Sequence, residues 1–259
     1  MEMLKYCTSQ SMRAFALIIL LLCPSVIKAQ VEIHLDGTGG EEWLQPYLDQ
    51  TGSEYGFVYG KEYYPYYYRA RNSPILRDDE RRTASLTFDG RTYDNLELQY
   101  DTYIDAVVYG YESLPLENKM RKVSLNKYEL SSFDLYFIAD TMHFRYFAHD
   151  RDTSFNLDDG FYEVVRDSKT KFIIRHRSEK YINLNTPDRH AFDDYLYKPL
   201  FYINTGDGYQ KITSRKHFTG LFNAGAGKVS RFLRAARIRI RKADKRQICE
   251  VLQYYEQLD

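Results

Sequence analysis

The chain has 259 residues, with 36 Lys or Arg against 36 Asp or Glu, an overall balance that hides a basic C-terminal segment. Only one of its three cysteines, Cys249, lies beyond residue 29, which excludes an intramolecular disulfide once a leader of that length is removed. The remaining 230 residues are enough to bury an adequate apolar core without one.

The N-terminus carries the first motif. Arg13, helped by Lys5, precedes an uninterrupted apolar run from Ala14 to Cys23, and Pro24 and Ser25 break it before Ala29. A positive flank, a short apolar core and a small residue at the cut predict a secretory signal over 1–29, cleaved after Ala29. The run is shorter than the roughly 20 apolar residues of a spanning helix. Lipoprotein signals place a small residue before the acceptor cysteine; Leu22 is large, so Cys23 reads as part of the apolar core. Export to the periplasm or cell surface is the expectation.

Residues 30–54 form a polar, glycine-containing extension in which Trp43, Leu44, Tyr47 and Leu48 recur at helical spacing. From 55 to 211 strand signals dominate and no linker divides them. Expected strands cover 55–59, 84–88, 92–100, 104–109, 122–125, 135–139, 143–148, 161–166, 172–176 and 196–203. The segments 84–88 and 92–100 flank Asp89-Gly90, a strong two-residue hairpin signal. Short strands separated by Asp, Asn, Gly and Ser, with no crossover helices, predict a mainly β antiparallel meander, barrel-like or sandwich, and not a βαβ fold.

After residue 212 the pattern becomes helical. Ser214 is an expected helix cap. Val229, Phe232, Leu233, Ala236 and Ile240 share one face, and Asp244 with Gln247 makes a capping box before a last helix that presents Ile248, Val251, Leu252 and Tyr255 inward. Cys249, in that helix, reads as a packing residue. From 209 to 246 there are twelve basic residues and one acid, a net of +11, so the rest of the chain beyond the leader carries −13. Such a segment either packs across the acidic β body, forms a solvated face, or meets an anionic partner. Export argues against nucleic acid.

Chemistry-bearing motifs are scarce. The histidines show no metal spacing, and His143 and His149 flank a strand without making a ligand pair. The loop 150–160 alternates oxygen donors, but Phe155 and Phe161 stand where a calcium loop needs Gly and Glu. There is no nucleophile elbow and no phosphate loop. No catalytic residue, cofactor or metal is therefore assigned. The run KEYYPYYYRAR, in a chain with 25 tyrosines, offers Tyr63, Tyr64, Tyr66, Tyr67 and Arg69 as a contact patch of amphipathic rings. Arg231, Arg234, Arg237 and Arg241 form a separate basic surface.

The stretch YGFVYGKEYYP, the segments FDGRTYDNLELQYDTYIDAVVY and GFYEVVRDSKTKFIIRHRSEKY, and the ending LQYYEQL carry a resemblance over most of the chain. They are similar to those of an uncharacterised secreted protein family of Bacteroidota. That resemblance implies export, a β-rich body and a helical tail, and it supplies no catalytic residue. The expected role is an exported, non-enzymatic interaction or envelope-support module that contacts an envelope protein. The alternatives are a glycan-binding or glycan-processing protein and a factor docking on anionic lipid.

Overall fold

The computed structural model describes residues 60–67, 70–77, 81–112, 120–148, 157–183 and 192–258. The leader, the 30–54 extension, the expected 55–59 strand, Arg69, His149 and most of the acidic 150–160 loop lie outside the described residues.

The central hairpin follows from local chemistry. Strands β2 (Arg82–Phe88) and β3 (Arg91–Asp101) are joined by Asp89 (φ 48°) and Gly90 (φ 73°), and two successive positive φ values make a type I′ turn. That turn matches the twist of paired strands. Leu96, Leu98 and Tyr100 of β3 are buried while Asn95 and Glu97 are exposed, as an alternating half-buried strand requires.

The short β1 (Lys61–Glu62) lies beside β5 (Met120–Ser124), which pairs with β4 (Ala106–Glu112). The chain then returns through β6 (Leu130–Phe137), β7 (Asp140–Phe147), β8 (Gly160–Asp167) and β9 (Lys171–Arg175). It leaves the sheet for the separate hairpin β10 (Ser178–Asn183) and β11 (Phe192–Tyr197), and re-enters as β12 (Leu200–Asn204) and β13 (Tyr209–Lys211). The eleven-stranded order β1-β5-β4-β3-β2-β6-β7-β8-β9-β12-β13 is two antiparallel meanders joined where β2 pairs with β6. The sheet is open, with β1 and β13 at its ends, so the expected mainly β meander holds without closing into a barrel.

One core lies on the β2–β8 region and contains Leu86, Leu98, Tyr100, Phe133, Phe144 and Phe161. Phe133 and Phe144 are directly opposed in the ladder and stack with centroids 4.4 Å apart. A second core forms where three short helices cover the sheet: α1 (Arg215–Gly220), α2 (Ala226–Ala235) and α3 (Lys245–Glu256). Phe218, Val229, Leu233, Ile248 and Leu252 pack there with Phe172, Ile174 and Ile203. Tyr162, Ile173, Tyr202 and Tyr209 form a third cluster. In β9, Phe172 and Ile174 belong to the second cluster and Ile173 to the third, so the run FII is apolar because both faces are covered.

The expected caps are present. Ser214 Oγ accepts from the His217 amide at 3.1 Å. Asp244 accepts from the Gln247 amide at 2.8 Å while Gln247 Oε1 accepts from the Asp244 amide at 3.3 Å. At the far end of α3, Glu256 pairs with Arg166 and accepts from Ser168 Oγ and the Thr170 amide at 2.9 and 2.8 Å. Burial alone would raise that carboxyl, but the hydrogen bonds from Thr170, Arg166 and Ser168 outweigh it and hold the pKa down at about 2.

Several boundaries differ from expectation. The 196–203 strand is two strands broken at Lys198-Pro199, because proline cannot donate to a ladder. The 135–139 strand begins earlier, at Leu130, and its Ile138 and Ala139 turn the corner into β7. Strand β10 was not anticipated: its residues Glu179, Lys180, Tyr181 and Ile182 show no buried face. The 229–240 helix stops at Ala235, and Arg237 turns left-handed at φ 56°. No described helix is long and apolar enough to cross a membrane.

Candidate functional site

Along β8 one face reads Phe161, Glu163, Val165. Phe161 belongs to the first core and Val165 packs on the second, so an acid interrupts the apolar stripe where the two cores meet. Glu163 is 2% exposed. It opposes Phe144 of β7 and Ile174 of β9 in the ladder. Two residues past Ile174 comes His176, 6% exposed, just after β9 ends.

A buried carboxylate needs compensating charge and hydrogen bonds, and two residues from other segments supply them. Glu163 Oε2 meets His176 Nε2 at 2.8 Å, and Glu163 Oε1 accepts from Lys245 Nζ at 2.8 Å. Lys245, the first residue of α3, also donates to Asp140 Oδ2 at 2.6 Å, and Arg77 donates to the same oxygen at 3.2 Å. The other imidazole nitrogen, Nδ1, is hydrogen-bonded to the Tyr197 hydroxyl at the end of β11. An ionised Glu163 can only accept, so Nε2 carries the proton and Nδ1 accepts from Tyr197.

The electrostatics agree with that assignment. Burial pushes the His176 pKa down, against the opposing pull of Glu163, and keeps the ring neutral. Burial raises Glu163, but the bonds from His176 and Lys245 outweigh it and leave the carboxyl below its usual range. Burial disfavours the Lys245 ammonium, and its bonds to Asp140 and Glu163 more than compensate. Tyr197 is pushed up, first by burial and then by Glu163, so its proton stays on oxygen.

This network borders a cavity of about 920 Å³, within the range of small-molecule sites. Arg77, Glu163, His176, Tyr197 and Lys245 line it together with an apolar wall of Ile75, Met142, Ile174 and Phe201. Two cations (Arg77 and Lys245) face two anions (Asp140 and Glu163) around a neutral imidazole, so the charges cancel. Hydrogen-bonding capacity is left over on both sides. Lys245 has three N–H donors and uses two, and the Tyr197 oxygen keeps a lone pair after donating.

The tyrosine run occupies another place. Tyr63 is buried and Tyr66 half-buried; their hydroxyls donate to Asp101 Oδ2 at 2.8 and 2.7 Å. Asp101 Oδ1 accepts from the amides of Tyr103 and Ile104 at 2.9 and 3.2 Å. Those four bonds fill a carboxylate's acceptor sites, which is why this acid sits at 0% exposure. Tyr67 packs edge-on against Tyr66. Tyr64 alone of the four is widely exposed, at 69%, beside a hollow of about 630 Å³ that Tyr63 and Tyr66 also line. Arg231, Arg234, Arg237 and Arg241 are all exposed, on or just after α2.

None of Glu163, His176, Tyr197, Lys245, Asp140 or Arg77 is singled out by sequence motifs. The available signal was Glu163 itself, an acid between Phe161 and Val165 on an otherwise apolar strand face. Its partners come from 77 to 245 along the chain and share no spacing. Compared with known proteins, the chain matches no protein family, no curated protein and no solved structure.

Proposed function

We propose that this protein is an exported binding protein for neutral glycans, and that the cavity beside Glu163, His176 and Tyr197 is its ligand site. The observation that carries this reading is the charge-balanced polar network on a cavity with an apolar wall. Each sugar hydroxyl both donates and accepts, which suits a site offering spare donors at Arg77 and Lys245 and a spare acceptor at Tyr197. The apolar faces of a sugar ring suit a wall of Ile75, Ile174 and Phe201. A site for a phosphate or a carboxylate would instead present uncompensated cations. Placement outside the cytoplasm rests on the signal-like N-terminus.

A glycan array probed with the full chain tests the reading. Binding to neutral oligosaccharides is expected to weaken at least about tenfold in Arg77→Gln and Tyr197→Phe, a loss of ~1.4 kcal/mol, equivalent to one or two hydrogen bonds. Both side chains reach the surface, so neither change threatens the core. An array without hits, or hits indifferent to both substitutions, would sink the reading.

A further inference from the structure

The second feature left without a structural role is the cationic face of the C-terminal segment. Among its twelve basic residues, only Lys245 forms an ion pair with a described residue of the β body. Lys228, Arg231, Arg234, Arg237, Arg239 and Arg241 are all exposed, and none forms an ion pair or side-chain hydrogen bond with another described residue. On α2, Lys228, Arg231 and Arg234 follow at three-residue steps, which keeps them on one outward arc opposite the buried Val229 and Leu233. Among the described residues, neutralisation of this segment by the acidic body, one of the expected alternatives, is therefore confined to Lys245.

Concentrating cations on one face costs self-repulsion, and their partner can be narrowed by what the face lacks. No exposed large apolar side chain lies between residues 205 and 258. A stable protein interface is anchored by buried aromatic or aliphatic residues, and single-stranded nucleic acid is held by stacking on exposed rings. Neither anchor is present. A planar array of negative charge needs no such anchor, because it is met by long-range attraction with each basic residue contributing nearly independently.

We infer that the exposed basic segment carrying Lys228, Arg231, Arg234, Arg237, Arg239 and Arg241, led by the outward arc of α2, docks the protein on an anionic lipid bilayer, through headgroup contacts and without insertion. The lack of exposed large apolar side chains makes the contact electrostatic, and therefore sensitive to salt. It orients the folded domain with α2 against the surface. It is independent of whether the cavity holds a glycan.

Vesicle co-sedimentation of the full chain tests it, comparing phosphatidylcholine with phosphatidylcholine containing about 30% phosphatidylglycerol. The expected result is binding to the anionic vesicles only, abolished at about 0.5 M salt. Binding should weaken about 100-fold in R231Q/R234Q/R241Q, while R231K/R234K/R241K, which keeps the charge, binds like the parent. The N-terminal apolar run is common to all of these chains, so the differences isolate the basic face. Equal binding to neutral vesicles, no binding to anionic ones, or unchanged binding by the Gln variant would overturn the inference. Tighter binding to single-stranded DNA than to the anionic vesicles would overturn it in favour of a nucleic-acid partner.

Discussion

At the scale of single residues, hydrogen-bonded acids organise this protein, each compensated in a different way. Asp101 is held by two tyrosine hydroxyls and two amides, so Asp101→Ala should cost on the order of 3 kcal/mol in urea unfolding by leaving those donors unpaired. Glu256 sits below its usual range, and the sign of its pH dependence follows. Its contribution is full above the ordinary carboxylate value of 4.5 and is lost as pH falls towards about 2. Glu256→Gln should therefore lower stability by about 1 kcal/mol at neutral pH and flatten the acid limb in that window. A parent and variant with parallel acid limbs would show that Glu256 does not set it. His176 has a depressed pKa, so at pH 6.5 its imidazole carbon and nitrogen shifts should report a mainly neutral ring protonated on Nε2. A predominantly charged ring would undo the assignment of Tyr197 as donor.

At the scale of elements, local chemistry was legible wherever the deciding partners were near in sequence. The Asp89-Gly90 turn, the Ser214 cap and the Asp244–Gln247 capping box were all readable because each closes within a few residues. Asp244→Ala should cost about 1 kcal/mol, seen as a lower melting temperature, by stripping the first turn of α3. Gly160 differs from the turn glycine. Gly90 has open space around an added Cβ, whereas at Gly160 (φ 151°) that carbon would fall 2.6 Å from Asp105 Oδ2. Gly90→Ala should therefore cost about 1 kcal/mol from backbone strain alone, and Gly160→Ala clearly more. Equal costs would mean that the Asp105 carboxylate yields freely. The hairpin β10–β11 escaped notice because Glu179 to Ile182 show no buried face to give the strand a period, and Pro199 was overrun because Leu196 to Ile203 looks continuous by composition.

At the scale of the whole molecule, the meander was legible from turn chemistry and alternation, but the site was not. Glu163, His176, Lys245, Asp140, Arg77 and Tyr197 meet only because α3 returns to the sheet at the junction of two cores, and no local pattern encodes that return. The tyrosine run stood out in composition because it is dense, yet Tyr63 and Tyr66 are committed to holding Asp101. The polar network at the junction leaves a charge-balanced cavity, and that cavity is the basis for assigning glycan binding. The most direct test is to titrate a panel of neutral oligosaccharides into protein labelled on its histidine side chains and follow the His176 imidazole. A saturable shift of His176, with the exposed His217 unmoved, is the predicted result. No shift of His176 with any oligosaccharide, or equal movement of His217, would contradict the assignment of this cavity as the binding site.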